Sequence, residues 1–311
     1  MISLDSVTKR FEQFVALDNL SLEIPDGCAY GMLGSNGAGK STILRLLSGI
    51  YRQESGTVCI DGQEVYDNVA VKSRVIFIND ETIQWNGYTL DEMKAYYKLF
   101  YDRFDNDKFE KLWSSIKLPR NRKLSTFSKG MKRQAAIICG ISSRPDYLLL
   151  DEAFDGIDPM MRIIVKQILI DAMVDGDEME RRMTVVMSSH NLREVDEFCD
   201  KAGLLHKGKL LFNRDLDNIK GNINKVQTAF DGIEINTKEQ WDAYFPTLPA
   251  LSLEKQGSII YAIVRGAKEQ IETEIAVQNP KLSDIIPLSL EEIFIYEMKG
   301  QGYEFSGIDT N

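Results

Sequence analysis

The order of apolar and polar positions divides the chain into alternating strands and helices. Leu20, Leu22 and Ile24 alternate with polar neighbours, Pro25-Asp26-Gly27 makes a turn, and Tyr30 to Leu33 is a short apolar run. Residues 1–32 therefore read as strands with turns. A glycine-rich stretch, Gly34 to Gly39, follows directly. Ile43, Leu44, Leu46, Leu47 and Ile50 then recur at helical spacing, with Gly49 near that helix's end. Residues 56–66 and 74–79 read as further strands. From about Thr89 to Gly140 the pattern is helical, and Tyr96, Tyr97, Phe100, Tyr101 and Phe104 crowd into a stripe that predicts packed core rather than a ligand platform. Tyr147 to Leu150 is continuously apolar, as a strand buried on both faces should be. Met160 to Met173 reads as helix, Val185 to Met187 as strand, and Asn191 to Cys199 as helix. Strands alternating with helices predict a parallel α/β sheet. The charged insert from Asp175 to Arg182 reads as a solvated surface loop.

After about Asn218 the character changes. Short candidate strands, Lys225 to Phe230 and Ile259 to Val264, flank a helical stretch around Lys238 to Tyr244, and a longer helix follows from Ala267 to Val277. The division predicted is a first domain over 1–218, with a helical subdomain at about 84–145, and a small α+β accessory domain over 219–311.

Composition narrows the function classes. Thirty-seven basic against 47 acidic side chains give a formal charge of -10, so a nucleic-acid role is disfavoured. The four cysteines, Cys28, Cys59, Cys139 and Cys199, form no C-x-x-C pair, which argues against a metal knuckle or a disulfide framework. The start has no basic segment and apolar run of a signal peptide, and no window approaches the roughly 18 to 20 apolar residues of a membrane helix. A cytosolic protein is expected, and any membrane part belongs to another chain.

The segment Gly34-Ser35-Asn36-Gly37-Ala38-Gly39-Lys40-Ser41 fits G-x-x-x-x-G-K-[ST] without a mismatch. Glycines let backbone N–H groups converge on phosphate oxygens, and the following helix presents its positive end to the same anion. Ser35, Asn36, Gly37, Ala38, Gly39, Lys40, Ser41 and Thr42 are the candidate phosphate cradle, with Lys40 on the terminal phosphates and the Ser41 hydroxyl on Mg²⁺. Leu148-Leu149-Leu150-Asp151-Glu152 ends an apolar strand in two carboxylates. Asp151 is the candidate metal anchor and Glu152 the candidate general base on an attacking water.

Thr126-Phe127-Ser128-Lys129-Gly130-Met131-Lys132-Arg133-Gln134, placed before that strand, resembles the signature motif of ATP-binding cassette (ABC) ATPases, commonly L-S-G-G-Q. Phe127, Lys129 and Met131 depart from the common form, while Ser128 and Gly130 are kept. Read without the family, Ser128 is a helix N-cap. Asp155-Gly156-Ile157-Asp158 sits where the family has its D-loop, and His190 follows a strand as the family's switch histidine does. Phe11, before Val15-Ala16-Leu17, matches the aromatic that stacks on adenine; the alternative is a buried core phenylalanine. No glutamine stands at the Q-loop place, where Asp80 is the candidate metal ligand and Asn79 the second choice. Pro287 to Phe294 resembles a tail segment of bacterial ABC-2-type exporter ATPases, or is a helix capped by Ser289 with a packed Phe294.

The resemblance implies the P-loop ABC ATPase fold: a RecA-like core, an antiparallel β-subdomain and a helical subdomain. It also implies ATP and Mg²⁺ as ligands, Glu152 and His190 as the catalytic pair, and Ser128 and Gly130 as a second nucleotide contact made across a homodimer or a heterodimer with another ABC ATPase. The partner implied is a transmembrane permease holding the chain at the cytoplasmic face of a membrane. Mechanical or regulatory work on a non-transporter partner is the alternative.

Overall fold

The structure is a computed structural model that describes residues 1–79, 85–174 and 182–300. The chain separates into two compact units, Met1–Asn213 and a second beginning at Arg214. The charged insert read from Asp175 to Arg182 lies almost wholly outside the described residues.

The first unit opens with β1 (Ile2–Phe11), β2 (Phe14–Ile24) and β3 (Ala29–Leu33), followed by α1 (Lys40–Leu47), β4 (Ser55–Ile60), β5 (Gln63–Glu64), α2 (Val69–Lys72) and β6 (Val75–Ile78). A helical segment follows: α3 (Leu90–Phe100), α4 (Asn106–Ile116) and α5 (Lys129–Ser142). The chain returns as β7 (Tyr147–Asp151), α6 (Pro159–Val174), β8 (Thr184–Ser188), α7 (Leu192–Phe198), β9 (Lys201–His206) and β10 (Lys209–Asp215). One sheet has the order β2-β1-β4-β5 with antiparallel pairing. The other runs β10-β9-β3-β8-β7-β6, and its β9-β3-β8-β7-β6 pairings are parallel.

β3, β7 and β8 are buried along their whole length, which is why they read as unbroken apolar runs. The amphipathic α1 turns Ile43, Leu44, Leu46 and Leu47 into a core shared by both sheets, with Leu4, Leu22, Val58, Tyr30, Met32 and Leu149. Because β8 lies between β3 and β7, the loops leaving the C-terminal ends of these three strands are neighbours. Open α/β sheets bind their ligands at such edges.

Local rules start each helix of the helical segment. Thr89 and Glu92 form a capping box on α3, Asp105 caps α4 and Ser128 caps α5. The aromatic stripe of α3 divides. Tyr97 is buried as expected, but Tyr96 and Phe100 are exposed. They lie one turn apart on a different face, and with Trp85, Tyr101 and Asn79 they line a cavity of about 190 Å³ beside the end of β6. Arg103 ties this segment to Asp146, just before β7, and Arg74, before β6, bridges Asp146 to Asp61 after β4.

The second unit contains α8 (Leu216–Asn222), β11 (Ile223–Ala229), α9 (Lys238–Tyr244), β12 (Ala250–Gln256), β13 (Ile259–Arg265), α10 (Lys268–Ala276), β14 (Leu282–Ile286) and α11 (Leu290–Gly300). Its sheet has the order β12-β13-β11-β14, wholly antiparallel. From β11 to β14 this is the split βαββαβ arrangement of ferredoxin-like folds. Trp241, fully buried, anchors the core and donates from Nε1 to the Leu248 carbonyl at 2.9 Å. In the tail, Ser289 caps α11 through a reciprocal bond with Glu292, and Ile293 rather than Phe294 is the buried residue.

A candidate nucleotide-binding site

β3 delivers the chain into the glycine loop, and α1 begins at Lys40. Gly39 adopts φ 112°, and a Cβ there would stand 2.7 Å from Leu17 Cδ2 and 2.9 Å from the Ala16 carbonyl. Only glycine lets the loop pass that close to β2. The first N–H groups of α1 have no partner within the helix and face the loop, as anion sites do. Asn36 to Thr42 line a cleft of about 320 Å³ together with Phe11, Phe14, Ala16 and Glu152.

Lys40 is buried, and its Nζ donates to the carbonyls of Gly34 at 2.6 Å and Ser35 at 3.2 Å. Burial pulls the ammonium below the usual lysine value, opposed by the charges of Glu152 and Asp151. A buried cation satisfied only by carbonyls favours an incoming anion.

The Asp151 carboxylate, buried at the end of β7, accepts from Ser41 Oγ at 2.9 Å and from Ser188 Oγ at 2.6 Å, both on Oδ1. Ser188 in turn accepts from the Glu152 N–H at 3.0 Å. Glu152 itself sits at φ 52°, a left-handed conformation rare for a residue with a side chain. That bend breaks the strand and turns the Glu152 side chain into the cleft. His190 Nδ1 lies 2.5 Å from Glu152 Oε2. A carboxylate oxygen accepts, so Nδ1 carries the hydrogen.

Phe11 is 39% exposed, which removes the core-phenylalanine reading. Its ring meets Tyr51 edge-on at 5.2 Å. Phe14, its cross-strand partner at the end of the hairpin, is exposed beside the same cleft. Phe14 and Ser188 carry no motif of their own, although the two-residue turn after Phe11 is a signal for Phe14.

Ser128 and Gly130 do not line the cleft. Ser128 Oγ accepts from the Met131 N–H at 3.2 Å as a helix cap. Gly130 packs on the D-loop segment, and a Cβ there would lie 2.3 Å from the Gly156 carbonyl. Lys129 pairs with Asp155 at 2.9 Å, and this bond holds the Asp155 carboxyl below the usual range. Asp80 lies outside the described residues, and Asn79 faces the aromatic cavity.

The ABC transporter family model matches residues 17–155, which run from β2, ahead of the glycine loop, past Asp151 and Glu152, to the first residue of the D-loop. Over 303 residues the chain is 30% identical to the ABC transporter ATP-binding protein YtrB of Bacillus subtilis (strain 168), covering 97% of this chain and 99% of that protein. The chain belongs to the ABC transporter ATP-binding protein family. Another relative of this ABC protein is the lantibiotic transport ATP-binding protein SrtF of Streptococcus pyogenes, 27% identical over 70% of this chain and 92% of that one. Among solved structures, an ATP-binding subunit of an ABC transporter superposes with a TM-score of 0.64 at 22% identity, covering 71% of this chain and 92% of its own. The dimeric cassette MJ0796, in a post-hydrolysis state with ADP and Pi, gives 0.58 at 22% identity, with 70% and 99% covered. These likenesses establish the ABC ATPase cassette fold. The YtrB match also runs through the second unit of this ABC protein.

Proposed function

We propose that the chain binds and hydrolyses ATP with Mg²⁺ as one half of an ABC dimer, and that it drives a separate transmembrane permease of the ABC-2 exporter kind from the cytoplasmic face of a membrane. The observation that carries the ATPase reading is the Glu152–His190 bond at 2.5 Å, with Glu152 lining the cleft of the glycine loop. Lys40 and the start of α1 would hold the phosphates, and Phe11 with Phe14 would cover the base. Ser41 and Asp151 supply oxygen donors alone, 2.9 Å apart, which suits a hard cation. Mg²⁺ held there would neutralise charge on the phosphate oxygens. Glu152 would take the proton of the attacking water while His190 holds its carboxylate in place.

Dimer formation is supported by Ser128 and Gly130, which belong to the signature-like segment yet stand outside the cleft of their own chain, with Ser128 exposed at the start of α5. Either a second copy or a related ABC ATPase would complete the site. Nucleotide bound between two subunits favours the closed form, and hydrolysis removes that preference. The aromatic cavity beside β6 and α3 is where a permease segment would dock. Among the described residues no helix is long and apolar enough to cross a membrane, which leaves the transport path to that partner. The relatives YtrB, named as a transporter ATP-binding protein, and SrtF, named for lantibiotic transport, support the transport role, and the tail segment carries the exporter assignment.

The test is ATP turnover across a protein concentration series, with Glu152→Gln alongside. Turnover per chain should rise steeply with concentration, and the variant should lose on the order of 10²–10⁴-fold while still binding ATP. Near-wild-type turnover in Glu152→Gln would refute the assignment.

A further inference from the structure

The Ser188-Ser189 pair at the end of β8 sends its two hydroxyls to different carboxylates. Ser188 serves Asp151. Ser189 donates to Glu194 Oε2 at 2.7 Å. Glu194 is buried in the first turn of α7, and its other oxygen pairs with Arg162 Nη1 at 3.1 Å. Arg162 belongs to α6, the helix that follows the Asp155–Asp158 turn, and its Nη2 reaches the Ile157 carbonyl at 3.4 Å.

Both neighbours of His190 are tied into this network. The Ser189 N–H donates to the Met32 carbonyl at 3.2 Å, at the end of the strand that enters the glycine loop. The Asn191 N–H donates to Ser189 Oγ at 2.9 Å. The His190 side chain is 60% exposed, so packing does little to aim it, and its direction is set by the backbone on either side. Helix capping does not account for Glu194, because Asn191 already caps α7 through the Arg193 N–H at 3.1 Å. A carboxylate buried to this degree persists where its partners offset the loss of water.

We propose that Glu194 is a positioning residue for the hydrolytic step: it joins the His190 loop to α6 through Ser189 and Arg162, and so holds His190 against Glu152. The inference rests on the ATPase reading given above. Glutamine at this place keeps the size of the side chain. Its neutral amide, however, has no charge to pair with Arg162, and whichever way it is turned, either the Arg162 bond is lost or the Ser189 bond must reverse direction.

The experiment compares kcat, KM and nucleotide affinity of the full chain in wild type, Glu152→Gln, Glu194→Gln, Ser189→Ala and His190→Ala, and in the doubles with His190→Ala. Glu194→Gln and Ser189→Ala should each lower kcat by about 10- to 10²-fold, with KM and affinity within roughly twofold of wild type. In the His190→Ala background neither should lower kcat further, since a misaimed histidine is already absent. Losses that multiply in the doubles, or wild-type kcat in both single variants, would overturn the positioning role and leave the ATPase reading standing. Ser189→Ala removes one buried oxygen, so it decides the matter if Glu194→Gln does not fold. Wild-type turnover that Glu152→Gln fails to reduce would instead overturn the ATPase reading, and the positioning role with it.

Discussion

Phe11 and Phe14 face each other across the tip of the β1–β2 hairpin, both exposed and both beside the glycine loop. Aromatic side chains left in water at a cleft have surface to give to a planar ligand. Phe11→Ala and Phe14→Ala should each weaken ATP binding about 2- to 10-fold, as loss of one stacking contact of roughly 0.5–1.5 kcal/mol requires. A titration with a fluorescent ATP analogue reads the change, and an unaltered affinity in both variants would remove the hairpin from the base site. Residues of this kind differ in how visible they are in a sequence. Gly34 to Ser41 is contiguous, so its chemistry is legible in one glance. Asp151 and Glu152 gain meaning from the apolar strand before them. Ser189, Glu194 and Arg162 are far apart in sequence and ordinary in type, and their connection exists only once α6 and α7 have packed.

At the scale of elements, the helical segment depends on caps that double as ion pairs. Asp105 accepts from the Lys108 N–H at 2.9 Å and from Arg144 Nε at 3.0 Å. The backbone bond first, then Arg144, holds its carboxyl below the usual aspartate range. A depressed carboxylate contributes stability above its unfolded-state pKa and loses it as pH falls through the folded value. Asp105→Ala should therefore cost about 1–2 kcal/mol in urea unfolding at neutral pH. Asp105→Asn, which keeps the cap, should cost less. On acidification below about pH 4 the difference between wild type and both variants should shrink, and a constant difference would mean that the carboxylate's charge contributes nothing. Elements were legible in proportion to their burial. β3, β7 and β8 are buried throughout and stand out as apolar runs, while α1 announces itself by spacing. β12 and β14 are edge strands with several exposed positions, so their patterns resemble loops. The aromatic stripe of α3 misled for a related reason. Composition marks a ring as apolar but does not say which side of the helix lacks a neighbour.

For the molecule as a whole, each unit has its own core. Trp241, with Phe245, Ile260 and Ile271, belongs to a cluster drawn only from the second unit. Trp241→Ala should remove about 3–5 kcal/mol from that unit. Calorimetry should show one transition lowered while ATP affinity stays at its wild-type value. A joint fall of every transition would mean that the two units unfold as one. Within the first unit, β8 occupies the middle of the parallel sheet, and the serine that ends it is followed by a second, Ser188-Ser189. Neighbouring residues of a strand point to opposite sides, so the two hydroxyls are synonyms in the alphabet and antonyms in space. One addresses the carboxylate assigned to the cation, the other the brace behind the histidine. Shuffling the pair would leave the text unchanged, yet erasing either letter would garble a different sentence.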